Sequence, residues 1–241
     1  MSTNSYLQLG SVEALVVRKA VKNLHLSILP PTGTVRVTAP ESMKDDAIRT
    51  LLVMRLPWIK KRQAEFTGQN RQTKRKYLSG ESHYFFGKRY RLEVIYKEES
   101  PKVYLKGKTK IVLQVRPKSS VAKCEEVMMD WYREEMFPLA EALMKKWEKK
   151  LGVRASFWQI KKMKTRWGSC NHDTKRILLN LELAKKPLHC IEYVVVHELL
   201  HIKERKHSEV FFALLQKSLP KWKTTKEELN DFILSYEDWE R

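Results

Sequence analysis

Cysteine is scarce in this chain. There are three in 241 residues, Cys124, Cys170 and Cys190, and no two of them form a CxxC pair. This excludes a disulfide-stapled scaffold and a four-cysteine zinc site. Long apolar runs are also missing, for no stretch approaches the ~20 residues that cross a bilayer. The opening MSTNSYLQLGS has no charged-then-apolar plan of a secretory leader. A soluble protein of a reducing, cytoplasmic setting is therefore expected. No segment repeats and none is of low complexity. Negative charge is in short supply, with 28 Asp+Glu against 47 Lys+Arg and a net charge of +19. Against these shortages, 42% of the residues are hydrophobic and 10% aromatic. That is enough to bury a sizeable core, and it excludes global disorder.

The charge is uneven. Residues 1–118 carry 24 basic and 9 acidic side chains, whereas residues 119–241 carry 23 and 19. The densest stretch runs from Arg55 to Lys76, where eight basic residues face the single Glu65. A one-sided field of this kind favours polyanions, so nucleic acid or another acidic partner is expected at the N-terminal half. A solvated lysine-rich surface is the plainer reading.

Periodicity predicts strands in VEALVVRK, NLHLSIL and TVRVTAP, with Pro30, Pro31 and Gly33 at the turn between the last two. Ser42 and Asp45 have the spacing of a capping box. Beyond them Ile48, Leu51, Leu52, Leu56 and Ile59 follow a helical period, which Pro57 should kink or split. A basic linker from Gly68 to Lys76 leads into four more strand-like segments, HYFFG, YRLEVIY, KVYLKG and IVLQVR, with turns at Gly87 and Gly107. From Ser119 a long helix is expected, with Val127, Trp131, Met136, Leu139 and Leu143 on its apolar face and Gly152 at its end. The fold class is α+β, with a β-rich basic part over 1–118 and a helix-rich part over 119–241.

Pro187 suits the first turn of a helix. The segment after it, LHCIEYVVVHELLHI, is apolar on nearly every side, as a buried helix is. Yet it carries His197, Glu198 and His201, which are costly to bury without partners. One turn separates the two histidines, and Glu198 stands on the rim of their face. HExxH is the pattern in which two imidazoles bind zinc and the glutamate handles a proton of water. Catalytic zinc needs a third protein ligand. On a continuing helix His207 would point ~80° away from His197, but the polar run Lys203–Lys206 ends the apolar pattern and Ser208 is a good N-cap for a new helix. A turn there can return His207 to the metal. Glu209, Glu227 and Glu228 are the other candidate ligands. The remaining histidines, His25, His83, His172 and His189, read as ordinary surface or core residues.

The strings MKTRWGSC (163–170), RILLNLEL (176–183), YVVVHELLHI and HSEVFF resemble the YgjP-like metallopeptidases, relatives of the SprT-like zincins. VRKAVKNLHLSI, PESM, the helix around Trp58 and ESHYFFGKRYRL extend the resemblance over nearly the whole chain. It implies a zincin-like C-terminal domain, a zinc ion on His197, His201 and His207, and a metal-dependent hydrolase acting through Glu198. Lys206 departs from the family pattern, which has asparagine before His-Ser.

Glu198 is expected to take the proton of the attacking water and pass it to the leaving amine. Donors for the developing oxyanion are Arg166, Tyr193 or a backbone N–H near Trp167-Gly168-Ser169. RWGSC reads equally as a packing turn, with Trp167 in the core and Gly168 in a left-handed conformation. The strand 176–180 is expected at a sheet edge, where it would pair with an extended peptide. Cys190 reads as a small buried residue, Cys170 as a weaker zinc or redox candidate, and Trp147, Trp158, Trp222 and Trp239 as core fillers or helix caps. Two other functions compete with the zinc metallopeptidase: a nucleic-acid-binding protein with a structural zinc site, and a hydrolase of non-peptide amides.

Overall fold

Two separate apolar cores form from this sequence. The computed structural model describes residues 3–29, 33–68, 75–163 and 166–231, and it divides into two compact units between residues 73 and 74. In the first unit, β1 (Thr3–Leu9), β2 (Val12–Lys19), β3 (His25–Leu29) and β4 (Thr34–Pro40) form a sheet of order β1-β2-β4-β3. The β2–β4 pair is parallel. Strand alternation turns Val12, Ala14 and Val16 of β2 and Val35, Val37 and Ala39 of β4 inward, and α1 (Asp45–Gly68) lays Ile48, Leu52 and Ile59 against them. The polar segment TNSYLQL is a strand that periodicity alone does not reveal. It pairs with β2 across a turn at Gly10, whose φ is +58°.

Two local expectations differ from the structure in this unit. The helix α1 continues through Pro57, so the proline does not split it. It also starts at Asp45, too late for Ser42 to cap it, and the Asp45 carboxylate instead accepts from the Arg18 guanidinium. Most of the basic linker, residues 69–74, lies outside the described residues.

The second unit opens with a sheet of β5 (Ser82–Phe85), β6 (Lys88–Tyr96), β7 (Lys102–Lys106) and β8 (Lys110–Val115), in the order β5-β6-β8-β7. The long helix α2 (Val121–Leu151) follows. The Ser120 side chain accepts from the Lys123 N–H at its start, and Gly152 ends it with φ +61°. Its buried stripe runs through Cys124, Met128, Trp131, Met136, Ala140 and Met144, so Val127, Leu139 and Leu143 sit at the margin. The boundary expected near residue 118 falls inside this unit, because Leu92, Ile111 and Leu113 of the sheet share one core with α2.

Three short strands come next, β9 (Phe157–Lys161), β10 (Gly168–Asn171) and β11 (Arg176–Asn180), in the order β10-β11-β9. Strand 176–180 is therefore central, not at the edge. It is flanked by parallel β9 and antiparallel β10, which hold the two edges of this sheet. A 3-10 helix, Leu181–Lys185, leads to α3 (Leu188–Leu200), then α4 (Glu209–Ser218) and α5 (Trp222–Asp231). Beyond its first turn, where Leu188 and His189 are exposed, helix α3 is buried on nearly every side, with Ile191, Val195, Val196 and Leu199 inaccessible to solvent. Trp147 and Trp222 are buried and Trp158 stacks on Phe137, while Trp239 lies outside the described residues. Among the described residues no helix is long and apolar enough to cross a membrane.

Candidate metal centre and active site

The last turn of α3 presents His197 and His201 on one face. After Leu200 the chain turns sharply, with the Lys203 and Glu204 N–H groups both returning to the Leu200 carbonyl. Ser208 then caps α4, its hydroxyl accepting from the Phe211 N–H. This turn carries His207 back to the other two. Their Nε2 atoms form a triangle with sides of 3.0 Å (His197–His207), 3.1 Å (His201–His207) and 3.3 Å (His197–His201). The fully buried Phe211 ring is a common floor, 4.7 to 5.0 Å from the three imidazole centroids.

The donor set fits a divalent cation. The Nδ1–H of His201 donates to the Glu204 carbonyl at 3.0 Å, which turns the Nε2 lone pair toward the cluster. Burial, with His201, His207 and Lys226 nearby, lowers the His197 pKa to about 3. Burial first, then His201 and Lys226, lowers that of His207. Three neutral nitrogens pointing their lone pairs at one spot repel each other unless a cation lies between them. Nitrogens around a tetrahedral zinc sit roughly 3.3 Å apart, close to the observed triangle. Glu228 is taken up elsewhere, with His189 Nε2 at 2.6 Å from its carboxylate. Glu209 and Glu227 are not among the groups that converge on His197, His201 and His207.

Glu198 is buried beside the cluster, and burial pushes its carboxyl up to about 8, with Arg166 pulling the other way. Its neighbour is the backbone of β10. A Cβ on Gly168 would stand 2.7 Å from Glu198 Oε1, 2.8 Å from its Cγ and 2.8 Å from Val194 Cγ1. Gly168 does not have a positive φ, so this glycine is needed for close approach and not for a left-handed turn. Trp167 is half-buried, packed against the core and also lining the pocket wall.

Arg166, Tyr193, His197, Glu198, His201 and His207 all line one open pocket of about 670 Å³, together with β10. Tyr193 is buried with its ring 5.8 Å from that of His197, and burial and Glu198 raise its phenol to about 12. Cys170 also lines the pocket but lies outside the histidine cluster, its thiol raised to about 11 by burial and then by Glu198. Cys190 is fully buried among core residues.

Three contributors were not legible in the sequence. Asn180, inaccessible at the end of β11, donates to the carbonyls of Met163 and Arg166 and accepts from the N–H groups of Met163 and Glu182, so it staples the loop that bears Arg166. His172 places Nδ1 2.8 Å from the His201 carbonyl. Lys226 on α5 reaches the pocket from a segment with no motif. A helix composition or a single strand-end asparagine gives no signal for such roles.

An open sheet edge beside a glutamate and three convergent imidazoles is the arrangement of a metal-dependent peptidase. Family comparison gives the same class. The chain belongs to the YgjP-like, metallopeptidase domain family, matched over residues 22–232. No curated protein matches it significantly. Two crystal structures with partial similarity are metallopeptidase zymogens. One is abylysin of Pyrococcus abyssi, 21% identical with a TM-score of 0.35, the match covering 37% of this chain and 90% of that one. The other is jannalysin of Methanocaldococcus jannaschii, 19% identical with a TM-score of 0.34, covering 37% and 86%.

Proposed function

We propose that the chain is a zinc-dependent peptidase in which His197, His201 and His207 hold the metal and Glu198 is the general base. The observation that carries this reading is the triangle of Nε2 atoms, 3.0 to 3.3 Å on a side, beside a buried glutamate. A zinc ion bound there supplies Lewis acidity and makes a coordinated water acidic near neutral pH.

The chain's own residues account for the rest. In the β10–β11 pair the Asn180 N–H bonds the Trp167 carbonyl. By antiparallel alternation Gly168 and Cys170 then direct their N–H and C=O groups away from β11. An extended peptide adds to that edge as a further strand, with its scissile carbonyl over the histidines. Glu198 takes a proton from the attacking water as oxygen bonds to the carbonyl carbon. It then delivers that proton to the amine nitrogen as the C–N bond breaks. Arg166 or Tyr193 steadies the developing oxyanion. Burial holds the Glu198 carboxyl near 8, and a divalent cation held by His197, His201 and His207 would favour the ionised form that a base needs.

Three converging ligands and an open pocket favour catalysis over a closed structural zinc, which takes four protein ligands. The β-strand edge favours peptides over small amides. The test is metal content by native mass spectrometry, followed by a peptide-library digest. About one zinc in the wild type, lost in His207→Ala, and turnover lost in Glu198→Gln with zinc retained, are the expected results. Full zinc retention in His207→Ala sinks the ligand assignment, and a fully active Glu198→Gln sinks the base.

Acidic-partner docking by the basic half is a separate proposal, supported by the exposed Arg91 and Lys110 in register across β6 and β8, with the exposed Arg89 two residues earlier on β6. Gel-shift affinity for DNA should fall steeply with salt, and no binding at low salt removes nucleic acid as the partner.

A further inference from the structure

The pocket is more cationic than peptide hydrolysis requires. Arg166, Arg205 and Lys226 reach it from three separate segments: the loop before β10, the turn between α3 and α4, and α5. All three are exposed, and among the described residues none has a carboxylate within ion-pairing distance, although eleven other lysine or arginine ion pairs are formed. Only two carboxylates line the same space, Glu198 on its buried floor and the exposed Asp173. Three exposed cations around one cavity repel one another, an arrangement that an incoming anion relieves.

Lys226 is the most informative of the three. Its Nζ lies 5.9 Å from the centroid of the Trp222 ring one turn earlier, so its stem follows α5 rather than extending freely into solvent. It lines the same pocket as His197 and His207, and Arg166 lines it with Glu198. Cationic side chains thus flank the histidine cluster on the α5 side and Glu198 on the β10 side. A lysine beside a metal site opposes cation binding and has no place in holding the metal, so its use lies with the substrate.

We infer that Lys226, supported by Arg205, forms a subsite for a substrate carboxylate next to the scissile bond, so that the preferred substrates are acidic peptides. The carboxylate belongs to an Asp or Glu side chain or to the peptide's own C-terminus. Lys226 is a specificity residue that touches substrate. The cleavage half of this inference rests on the peptidase reading above, while the binding half does not.

The experiment uses the zinc-loaded full chain and matched peptides that differ only in Glu, Gln or Lys at one position near the cleaved bond, each with a free and an amidated C-terminus. Cleavage is read as kcat and KM. Binding of the same peptides to Glu198→Gln is read by quenching of pocket Trp167 fluorescence. The Glu peptide, or the free C-terminus, should be favoured over its neutral match roughly fivefold, chiefly in KM and in binding. That ratio should fall toward one in Lys226→Gln and return in Lys226→Arg. The preference should also shrink as salt rises. Equal handling of acidic and neutral peptides, or a ratio unchanged in Lys226→Gln, overturns the inference and leaves the peptidase reading intact. Lys226-dependent binding of acidic peptides without any cleavage keeps the subsite and overturns the peptidase reading. The free and amidated arms decide which carboxylate is held.

Discussion

Replacing Gly168 with alanine adds one methyl at the most crowded point of the site. Its Cβ would lie 2.7 Å from Glu198 Oε1, 2.8 Å from Glu198 Cγ and 2.8 Å from Val194 Cγ1. Carbon atoms in contact sit about 3.5–4.0 Å apart, so something must move by roughly 1 Å. Val194 is packed in the core of α3 with 3% exposure, and β10 is pinned to β11 along four residue pairs. Glu198 has the only side chain in contact that can swing toward open space, into the pocket. Overpacking of this kind costs about 1–3 kcal/mol of stability. Misplacing a catalytic group by about 1 Å costs on the order of 100-fold in rate.

Gly168→Ala is therefore expected to stay folded, keep its zinc and lose about two orders of magnitude in kcat. Thermal melting, native mass spectrometry and single-substrate kinetics separate the three effects. A double-mutant cycle with Val194→Ala adds a control. Relief of the Val194 contact should restore part of the stability but little of the rate, because the Glu198 contacts remain. A Gly168→Ala enzyme with wild-type kcat and wild-type melting would falsify the close-approach argument.

Two stability predictions concern buried groups away from the pocket. His83 is 4% exposed, and burial lowers its imidazole from 6.5 to about 4. The folded form therefore binds fewer protons than the unfolded one. Stability is full above pH 6.5 and falls as the pH drops toward 4, by up to about 3 kcal/mol. Urea titrations at pH 7 and pH 4.5 should show that loss diminished in His83→Gln, and an unchanged pH slope refutes it. Glu182 is buried, and both its carboxylate oxygens accept from Lys185 Nζ at 2.8 Å. Burial raises its carboxyl, but the charge and hydrogen bonds of Lys185 outweigh that and the net shift is downward. Lys185→Ala should cost about 3–5 kcal/mol near neutral pH, while Lys185→Met with Glu182→Gln should cost much less. The wild-type advantage of this pair disappears as pH falls through the lowered Glu182 value. Equal losses in the single and double variants sink the ion-pair argument.

Local pattern alone determined a good part of this protein. Alternation wrote β2 and β4, the all-round apolar run of α3 required burial, and Gly152 ended α2 by adopting φ +61°. HExxH put His197, Glu198 and His201 together because residues one turn apart share a helix face, which is a property of the helix and of nothing else. Ser208 as an N-cap marked where the chain leaves one helix for the next, which made the return of His207 readable.

Tertiary structure decided what depends on partners distant in sequence. The strand TNSYLQL exists because β2 offers it an edge, and its own residues carry no period. Strand 176–180 is central because Phe157–Lys161 claims its second side, and periodicity describes a strand's faces without naming its neighbours. That pairing leaves the sheet's edges to Phe157–Lys161 and Gly168–Asn171, and the second of these lines the pocket. The requirement for glycine at 168 came from the Glu198 and Val194 side chains thirty and twenty-six positions away, not from its own backbone angles. Lys226 and Asn180 took their places at the site in the same way, through helix and strand packing that no spacing in the sequence encodes.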